Sequence, residues 1–463
     1  MIVLDSLRAD HVSALHTPFL MELSERATVF ERAVAPAAWT LPSHVSMLTG
    51  LSPSEHQIQS RGGVRPTLAS ARHGLTRLIN DGRYLPAWLL ERGVDTFLGS
   101  SIGWLSPASG VGRGFGNVAY IPFPPGTGKR PRSTPSLKDG QAALPDPVRR
   151  LPIAVKHAAK IALETLAEAR RALPLAKWVL SREDKGASRL EAAFANWLSN
   201  VDRPFFAFIN LIETHDPHIA PKGHGRRDVR SMIAAVGGKS FTRKMNQHNW
   251  GYRPLPSHEL ERLKNAYLAE TSYADLCVRR IVSHVSDLGL GGDTTIIVTA
   301  DHGEGFGEHG LVGHGLPLTE SVLHVPLLVA PPSAEPQLEP RVVGLDRLAA
   351  SVATILTDDA GPFGHASFVR DEGRGSARSE VEAPGRYFHT SGLKMKEVAS
   401  RMDRPAAAFY YGPFKLIVGS FWDEALFDLV ADPTESHNLI GEREIPGPLA
   451  DMRRRWERRS GLT

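Results

Sequence analysis

The chain has 463 residues, 42% hydrophobic and 22% charged, which allows a large buried core and argues against intrinsic disorder. A formal net charge of +4 on this length suits an anionic substrate or surface but is too small to indicate nucleic-acid binding. The single cysteine, Cys277, excludes an intrachain disulfide, and no run of about 18 apolar residues predicts a membrane-spanning helix.

The first segment, MIVLD (1–5), predicts a buried strand that ends in a carboxylate. Only four residues precede Asp5. A central strand usually has more residues before its end, so this short segment indicates a truncated or misassigned N-terminus. The opening shows neither the basic stretch nor the cleavage site of a secretory signal, so a cytoplasmic or peripheral location is expected. The sequence leaves the oligomeric state open.

The next segments alternate between two patterns: 16–27, 40–51 and 67–93 are helical, and 28–36 and 94–101 are extended. In the second helical segment, Pro42 suits a first turn and Gly50 a C-terminal stop. This alternation predicts a parallel sheet covered by helices.

A variable insertion is predicted at about 121–190. Its first part, to residue 150, is rich in Pro, Gly and basic residues and predicts a long surface excursion. Residues 150–181 are helical in composition and carry a basic face formed by Lys156, Lys160, Arg170, Arg171 and Lys177. A solvated helix explains this face, and peripheral contact with a membrane is the alternative.

The second half continues the alternation. Helical patterns cover 188–200 and 258–289. Buried strands open the segments 203–218 and 294–315 and make up 324–332. From about residue 335 the elements become shorter. The sequence therefore predicts a catalytic α/β domain over 1–334. A C-terminal α+β subdomain over 335–463 would have a small antiparallel sheet and a terminal helix.

Two predicted strands, IVLD and TIIVTAD, each end in an aspartate. Ligands bind outside the carboxyl ends of strands in open α/β sheets, so Asp5 and Asp301 should meet at one edge, with His302 beside them. Two carboxylates and one imidazole suit a single divalent cation. Mn²⁺ or Zn²⁺ is favoured by the imidazole, and Ca²⁺ or Mg²⁺ is allowed.

Thr40 precedes the predicted helix that contains Pro42 and His44. If its hydroxyl shares the cation, Thr40 becomes a nucleophile, and the helix N-terminus favours an anionic group such as phosphate or sulfate. His44, in the first turn, could contact that anion. His215 follows a buried strand and His314 follows the metal pair, and either could bind a substrate oxygen or protonate the leaving group.

Each of these features also has an ordinary structural explanation. A strand-end aspartate is often a turn former, and Ser43–His44 could simply cap a helix. A lone histidine is more often a surface or core residue, and Cys277 is expected to serve packing. The joint pattern is much more specific than its parts, because the metal-hydrolase interpretation requires all of them at one sheet edge.

The sequence resembles the sulfatase branch of the alkaline phosphatase superfamily. The segments that carry the resemblance are LDSLRADH (4–11), TLPSHVSMLTGLSPSEH (40–56), GVGRGF (110–115), FINLIETHDPH (208–218), TADHGEGFGEHGLVGHG (299–315), HVPLLV (324–329) and ALFDLVADPTESHNL (425–439). The resemblance implies a central mixed, mostly parallel sheet flanked by helices. It also implies metal ligands at Asp5, Asp301 and His302, a metal-contacting nucleophile at Thr40, and a substrate contact at His215. His314 stands where sulfatases usually have a lysine near the leaving group.

The sequence departs from the sulfatase pattern at the nucleophile. Formylglycine-dependent sulfatases have Cys or Ser there, followed by an arginine, whereas this chain has Thr40 and His44, and Ser6 replaces a second aspartate. These changes resemble the Thr-x-Pro-x-His version in nucleotide pyrophosphatase/phosphodiesterase-like members. Those members often bind a second metal through an Asp-x-x-x-His pair that is not evident here, so one metal is favoured.

Three hypotheses follow from the sequence. The first is a metal-dependent hydrolase or transferase that cleaves a phosphate or phosphonate ester through covalent Thr40. The second is a sulfatase that acts without formylglycine. The third is a catalytically silent protein that binds an anionic glycan or lipid headgroup. The expected partner is a small-molecule, lipid-linked or glycan-linked anionic ester, and no nucleic acid is expected.

Overall fold

The computed structural model describes residues 1–59, 66–123, 177–201, 204–225, 239–249, 251–315, 318–333, 335–364, 367–368, 375–381, 405–419 and 423–460. Most of the predicted insertion at about 121–190 lies outside these residues. The same is true of most of the basic helical segment 150–181, on which the hypothesis of membrane contact depends.

The strands are β1 Ile2–Leu4, β2 Thr28–Val34, β3 Asp95–Ser100, β4 Asn117–Tyr120, β5 Phe205–Leu211, β6 Ile296–Thr299, β7 Gly305–Phe306, β8 Val312–Gly313, β9 His324–Val325, β10 Leu327–Ala330, β11 Gln337–Gly344, β12 Ser376–Val381, β13 Ala406–Tyr411, β14 Phe414–Val418 and β15 Glu424–Asp428. The α-helices are α1 Pro18–Ser24, α2 Thr40–Thr49, α3 Pro53–His56, α4 Leu68–Asn80, α5 Leu85–Leu90, α6 Ala187–Leu198, α7 Lys239–Asn249, α8 Ser257–Asp287, α9 Glu320–Leu323, α10 Leu348–Thr357 and α11 Gly447–Ser460. Within the described part of the chain, no helix combines the length and the apolar character needed to cross a bilayer.

Thirteen of the described strands form one sheet. Their order is β15-β14-β13-β12-β11-β2-β10-β6-β1-β5-β3-β4, with β9 paired to β2. The central strands β3, β5, β1 and β6 are parallel, as is β4 at the edge beside β3, and β10 runs antiparallel between β6 and β2. The prediction of a mixed sheet with a mostly parallel centre is confirmed.

The central strands are apolar because both faces of the sheet are covered. All three residues of β1 are buried, as are the last six of β5, FAFINL. Two groups of helices pack around the sheet: α1 and α6 contact α8, and α2, α5 and α10 contact one another. Continuous apolar runs are typical of parallel strands in this situation.

Helix α2 carries the predicted nucleophile, and all ten of its residues are buried. It begins at Thr40, directly after the extended residue Trp39, and ends before Gly50, which adopts a left-handed conformation with φ 70°. A Cβ atom at Gly50 would lie 2.7 Å from the carbonyl oxygen of Phe363. The predicted stop at Gly50 is therefore confirmed, and glycine is required there by conformation and by space.

The pairing of β1 with β6 places the two predicted aspartates side by side. The strands are parallel, with Ile2 opposite Val298 and Val3 opposite Thr299. Continuing this register by two residues brings Asp5 level with Asp301. The predicted convergence at one sheet edge thus follows from the strand pairing.

Residues 335–463, predicted as a C-terminal subdomain, contain the antiparallel strands β12–β15 and the terminal helix α11. Their sheet is continuous with the central one, because β11 pairs in parallel with β2 and with β12. Helix α11 packs on β13, where the ring centroids of Trp456 and Phe409 are 6.0 Å apart. The predicted boundary at residue 335 therefore falls within one extended sheet.

Candidate active site

Two carboxylates and an imidazole lie together beyond the carboxyl ends of β1 and β6. Ligand atoms of Asp5, Asp301 and His302 all lie within 4.8 Å of one another. His302 Nε2 is 3.7 Å from Asp5 Oδ1 and 3.5 Å from Asp301 Oδ2. We call these three residues the buried cluster.

The buried cluster is closed to solvent, and its carboxylates are incompletely satisfied. All three side chains are fully buried. Burial, and then the charge of Asp301, raises the pKa of Asp5, and burial likewise raises the pKa of Asp301. Among the described residues, Asp5 Oδ2 and Asp301 Oδ2 have no hydrogen-bond partner. Such oxygens are costly to bury unless a cation neutralises them.

The hydrogen bonding of His302 leaves one ring nitrogen available to a ligand. Its Nδ1 donates to the carbonyl oxygen of Gly303 at 2.8 Å, so the free lone pair lies on Nε2. Burial and the neighbouring His314 lower the pKa of His302 to about 3, which keeps the ring neutral. Metal-binding histidines are usually oriented by a hydrogen bond of this kind.

The spacing of these atoms fits a small coordination shell. Ligands arranged tetrahedrally at about 2.1 Å from an ion lie about 3.4 Å apart. His302 Nε2 is separated by 3.4 to 3.7 Å from Thr40 Oγ1 and from the nearest oxygens of Asp5 and Asp301. The donor set and its unpartnered oxygens therefore fit a divalent cation.

Thr40 approaches the buried cluster from the N-terminus of α2. It is buried, and its hydroxyl oxygen lies 3.4 Å from His302 Nε2. Because Thr40 is the first residue of the helix, its own N–H and that of Leu41 have no intrahelical acceptor. Ser43 Oγ donates to the carbonyl oxygen of Asp301 at 2.6 Å and fixes the first turn of α2 against the end of β6.

His44 lies behind the carboxylates and does not line the cavity described below. Its Nδ1 donates to the carbonyl oxygen of Thr40 at 2.8 Å and lies 3.4 Å from Asp301 Oδ2. Its Nε2 accepts from Asn210 Nδ2 at 3.3 Å, and Asn210 Oδ1 accepts from Ser100 Oγ at 3.0 Å. The sequence predicted a contact with the substrate anion, whereas here both ring nitrogens are engaged within the protein.

The turn after Asp5 orients both carboxylates. Ser6 has a φ of 70°, a conformation that few residues other than glycine adopt. In this conformation its N–H donates to Asp301 Oδ1 at 3.1 Å, and its hydroxyl donates to Asp5 Oδ1 at 3.3 Å. The hydroxyl of Tyr267 donates to the carbonyl of Ser6 and accepts from the N–H of Arg8, both at 3.0 Å. Tyr267 thus holds the turn in place.

His215 and His314 lie at the partly exposed rim of the site. Their side chains are 21% and 19% exposed, and their ring centroids are 5.0 Å apart. The ring of His314 also lies 4.4 Å from that of His302, between centroids. Both predicted histidines are therefore near the buried cluster.

Carboxylates beside the two rim histidines favour their protonated forms. Burial alone would lower the pKa of His314, but Glu304, which accepts from Nδ1 at 2.9 Å, raises it to about 9. Burial also opposes protonation of His215, yet Asp216 and Asp5 raise its pKa. The pKa of about 9 keeps His314 protonated at neutral pH, and the raised pKa of His215 favours its protonated form.

His215, Asp216 and His314 form a second group, which we call the rim cluster. Their ligand atoms also lie within 4.8 Å of one another. His215 Nδ1 donates to the carbonyl oxygen of Asp216 at 2.7 Å and lies 3.0 Å from its carboxylate. In contrast to the buried cluster, the charged groups of the rim cluster already have partners of opposite charge.

Sequence reasoning missed three residues that support the site: Glu304, Asn210 and Tyr267. Glu304 lies only three residues after Asp301, and its position in DHGEG was its sole signal. Asn210 is a polar residue in the otherwise apolar strand FFAFINL, and this exception is a signal that could have identified it as a site residue. Nothing in the sequence around Tyr267 distinguishes it from a core residue of a long helix.

A cavity of about 530 Å³ opens at the site. It is lined by Thr40 and by the rim residues His215, Asp216 and His314. Apolar side chains form much of the rest, including Trp39 and Trp104, whose rings meet edge to face with centroids 5.6 Å apart. The cavity gives a small molecule access to the hydroxyl of Thr40.

The sheet, the buried carboxylate–imidazole cluster and the alcohol at a helix N-terminus define the class as alkaline phosphatase-like. The family model described as "Sulfatase" matches residues 1–357. The chain belongs to the sulfatase family.

Similar proteins include sulfatases and phosphonate hydrolases. The choline-sulfatase of Rhizobium meliloti (strain 1021) is 25% identical over 285 residues, which cover 59% of this chain and 51% of that protein. The chain thus spans about half the length of this curated relative. The phosphonate monoester hydrolase SpPMH from Silicibacter pomeroyi has a TM-score of 0.60 at 18% identity, covering 99% of this chain and 94% of that one. A 2-O GAG sulfatase has a TM-score of 0.60 at 16% identity, covering 99% and 91%. These two structures show a shared fold.

Proposed function

We propose that the protein is a metal-dependent hydrolase, or transferase, that cleaves a phosphate or phosphonate ester through a covalent intermediate on Thr40. The observation that carries this proposal is the 3.4 Å approach of Thr40 Oγ1 to His302 Nε2, beside two buried carboxylate oxygens without donors. An alcohol held there, at the start of α2, is positioned to attack an anionic ester.

Asp5, Asp301, His302 and Thr40 would together hold one divalent cation, preferably Mn²⁺ or Zn²⁺. Carboxylate and hydroxyl oxygens also accept Ca²⁺ or Mg²⁺, but the imidazole nitrogen favours the first two ions. When bound, the cation supplies Lewis-acid stabilisation of the ester oxygens and lowers the pKa of the nucleophilic hydroxyl.

In this proposal the residues divide the reaction between them. Thr40 releases its hydroxyl proton to water in the cavity and attacks phosphorus through Oγ1, and the bond between phosphorus and the leaving oxygen breaks as the new bond forms. The free N–H groups at the start of α2 stabilise charge on the phosphoryl oxygens. Water, or another acceptor alcohol in a transferase, then takes the phosphoryl group from Thr40.

The rim histidines handle the protons of this reaction. His314, fixed through Nδ1 by Glu304, donates a proton from Nε2 to the departing alcohol oxygen. His215, on the other side of the rim, binds a substrate oxygen or assists the same transfer. His44 lies behind Asp301, with Nδ1 3.4 Å from Asp301 Oδ2, and supports the first turn of α2 through its hydrogen bond to the carbonyl oxygen of Thr40.

Sulfate-ester hydrolysis is the second candidate. The family match, the choline-sulfatase and the 2-O GAG sulfatase support it. A threonine cannot be converted to the formylglycine aldehyde, so sulfate transfer would require direct attack by Thr40. This requirement is why we favour a phospho-ester.

Initial rates on matched aryl phosphate, aryl phosphonate and aryl sulfate esters test the proposal, using protein loaded with Mn²⁺ or Zn²⁺. We expect the phospho-esters to be cleaved fastest, and Thr40→Ala to abolish their cleavage. A clear preference for sulfate would replace the first candidate by the second. Bound metal with no turnover of any ester would favour the silent binding protein.

A further inference from the structure

A buried lysine lies behind the turn 213–215, which carries His215. Lys185 precedes α6, and its side chain is 1% exposed and does not line the cavity. Its ammonium group donates to the carbonyl oxygens of Glu213 and His215 at 3.0 and 2.5 Å, and to Glu270 Oε1 at 2.8 Å. An ammonium group has three N–H donors, so all of them are engaged within the protein and none is left for a substrate.

Helix α8 anchors this ammonium group from the other side. Glu270 belongs to α8, and its carboxylate also accepts from the N–H of Ile219 at 2.6 Å. One turn further along α8, the hydroxyl of Tyr273 donates to Asp184 Oδ2 at 2.9 Å. The long helix therefore holds Lys185 through its carboxylate partner and through the residue that precedes it.

The turn itself is tied to two other elements. Glu213 is buried, and its carboxylate accepts from the N–H groups of Lys185 and Ala187 at 3.0 and 3.1 Å. The hydroxyl of Thr214 donates to the carbonyl oxygen of Asp5 at 2.5 Å. The turn is thus fixed between the start of α6 and the end of β1, directly beside the buried cluster.

The ring of His215 moves with this turn. It lines the cavity, and its Nδ1 donates to the carbonyl oxygen of the next residue, Asp216, at 2.7 Å. Because this acceptor belongs to the same loop, the hydrogen bond sets the ring relative to the loop. The position of the ring in the cavity therefore depends on what holds the loop backbone.

The space that Lys185 fills does not require a charge. An apolar side chain would avoid removing an ammonium group and a carboxylate from water, and such replacements of buried ion pairs are often neutral or stabilising. An apolar side chain would, however, leave the carbonyl oxygens of Glu213 and His215 without this donor. The charged group therefore fixes a backbone conformation, which packing alone would not specify.

We propose that Lys185 is a positioning residue for the reaction: its ammonium group, anchored by Glu270, fixes the turn 213–215 and thereby holds the ring of His215 in the cavity. The inference rests on the proposed function, in which His215 binds a substrate oxygen or assists the departing alcohol. Lys185 acts through this histidine and does not touch the substrate.

A double-mutant cycle on kcat/KM separates this positioning role from a general structural one. Lys185→Met should lower kcat/KM at least tenfold in the parent protein. In the His215→Gln background the same substitution should lower it less than twofold further, because the ring that Lys185 positions is already gone. An equal loss in both backgrounds, or no loss in the parent protein, would overturn the inference.

A matched control and a second variant support the cycle. Lys222→Met makes the same change at an exposed lysine in the segment that follows β5 and should leave kcat/KM unchanged. Lys185→Met alone leaves the carboxylate of Glu270 buried without its cation and could prevent folding. Lys185→Met combined with Glu270→Gln removes both charges, and its effect should depend on His215 in the same way. A loss that does not depend on His215 would count against the inference here too.

Nuclear magnetic resonance of protein with labelled histidine gives a readout that needs no turnover. The ring Cε1–H resonance of His215, assigned through His215→Gln, should shift in Lys185→Met and stay unchanged in Lys222→Met. A shift without cleavage of any ester would contradict the proposed function and leave the positioning of the ring standing. Cleavage of esters with an unshifted resonance would support the proposed function and contradict the inference.

Discussion

The buried cluster and the rim cluster contain the same types of side chain but differ in their surroundings. In both, three aspartate or histidine ligand atoms lie within 4.8 Å of one another. Asp5, Asp301 and His302 are fully buried, and one oxygen of each carboxylate lacks a partner. His215 and His314 are about one-fifth exposed, and carboxylates stand beside both of them.

The two clusters lie a few ångströms apart, but their surroundings favour different charge states of their side chains. Burial raises the pKa of two acids that sit side by side, so the buried cluster needs a cation to hold both as anions. At the rim, neighbouring carboxylates raise the pKa of the histidines, which favours their protonated forms.

The largest expected effect comes from removing the hydroxyl of Thr40, the proposed nucleophile. Thr40→Ala should lower kcat/KM at least about a thousandfold, since neither cluster supplies another alcohol in its place. Thr40→Ser should retain measurable activity and is the matched control. Mass spectrometry of acid-quenched protein should show a substrate-derived adduct on Thr40 in the parent protein and none in Thr40→Ala.

Removing one carboxylate from each cluster in turn tests whether only the buried cluster binds the cation. Asp301→Asn should weaken metal affinity at least about a hundredfold, whereas Asp216→Asn should leave it nearly unchanged. Metal content after dialysis against a series of buffered metal concentrations gives both affinities. Two ions per chain, one of them lost in Asp216→Asn, would show that the rim cluster binds metal as well.

The proton transfer proposed for the rim histidines predicts an effect that depends on the leaving group. His314→Gln should slow esters of weakly acidic alcohols by about a hundredfold and esters of nitrophenol only slightly. Glu304→Gln removes the carboxylate that raises the pKa of His314, so the alkaline limb of the pH–rate profile should move to lower pH. A uniform loss across all leaving groups would point to substrate binding as the role of His314.

The metal-free protein should show the repulsion within the buried cluster as a pH-dependent loss of stability. Because the folded-state pKa values of Asp5 and Asp301 are raised, the folded state keeps protons that the unfolded state releases. Stability from this pair is therefore lost as pH rises above the usual aspartate pKa of about 3.9. Metal-free Asp301→Asn should be more stable than the metal-free parent at pH 8, and the gap should narrow at pH 5 in urea unfolding. A gap independent of pH would argue against this source of instability.

The smallest effect is expected at the only cysteine. Cys277 is buried in α8, where burial raises the pKa of its thiol, and it does not line the cavity. Cys277→Ala should leave kcat/KM unchanged on every ester, with only a modest decrease in the urea midpoint. Loss of turnover with an unchanged urea midpoint would reveal a chemical role that neither cluster explains.

The parts of the site that the sequence predicted depend on local patterns. Asp5 and Asp301 each end an apolar strand, and parallel strands bring their carboxyl ends to the same edge. Helix α2 was predicted from Pro42 and Gly50, two residues with strong backbone preferences. These patterns involve only a few neighbouring residues, so they can be recognised without knowing the tertiary contacts.

The parts that the sequence did not predict depend on distant pairings. The position of His44 in a first turn was evident, but its engagement with Asn210 depends on how β5 packs against α2. The continuity of the sheet across residue 335 arises because β11 pairs with β2, about 300 residues earlier in the chain. Neither pairing has a sequence signature, because strand partners are chosen by tertiary packing.

The most direct test of the central claim is a crystal structure of the Mn²⁺-loaded protein with vanadate, measured at a wavelength where manganese scatters anomalously. The account predicts one anomalous peak in contact with Asp5, Asp301 and His302, and vanadium bonded to Thr40 Oγ1 beside it. An ion bound elsewhere, or vanadium bonded to a different side chain, would contradict the account.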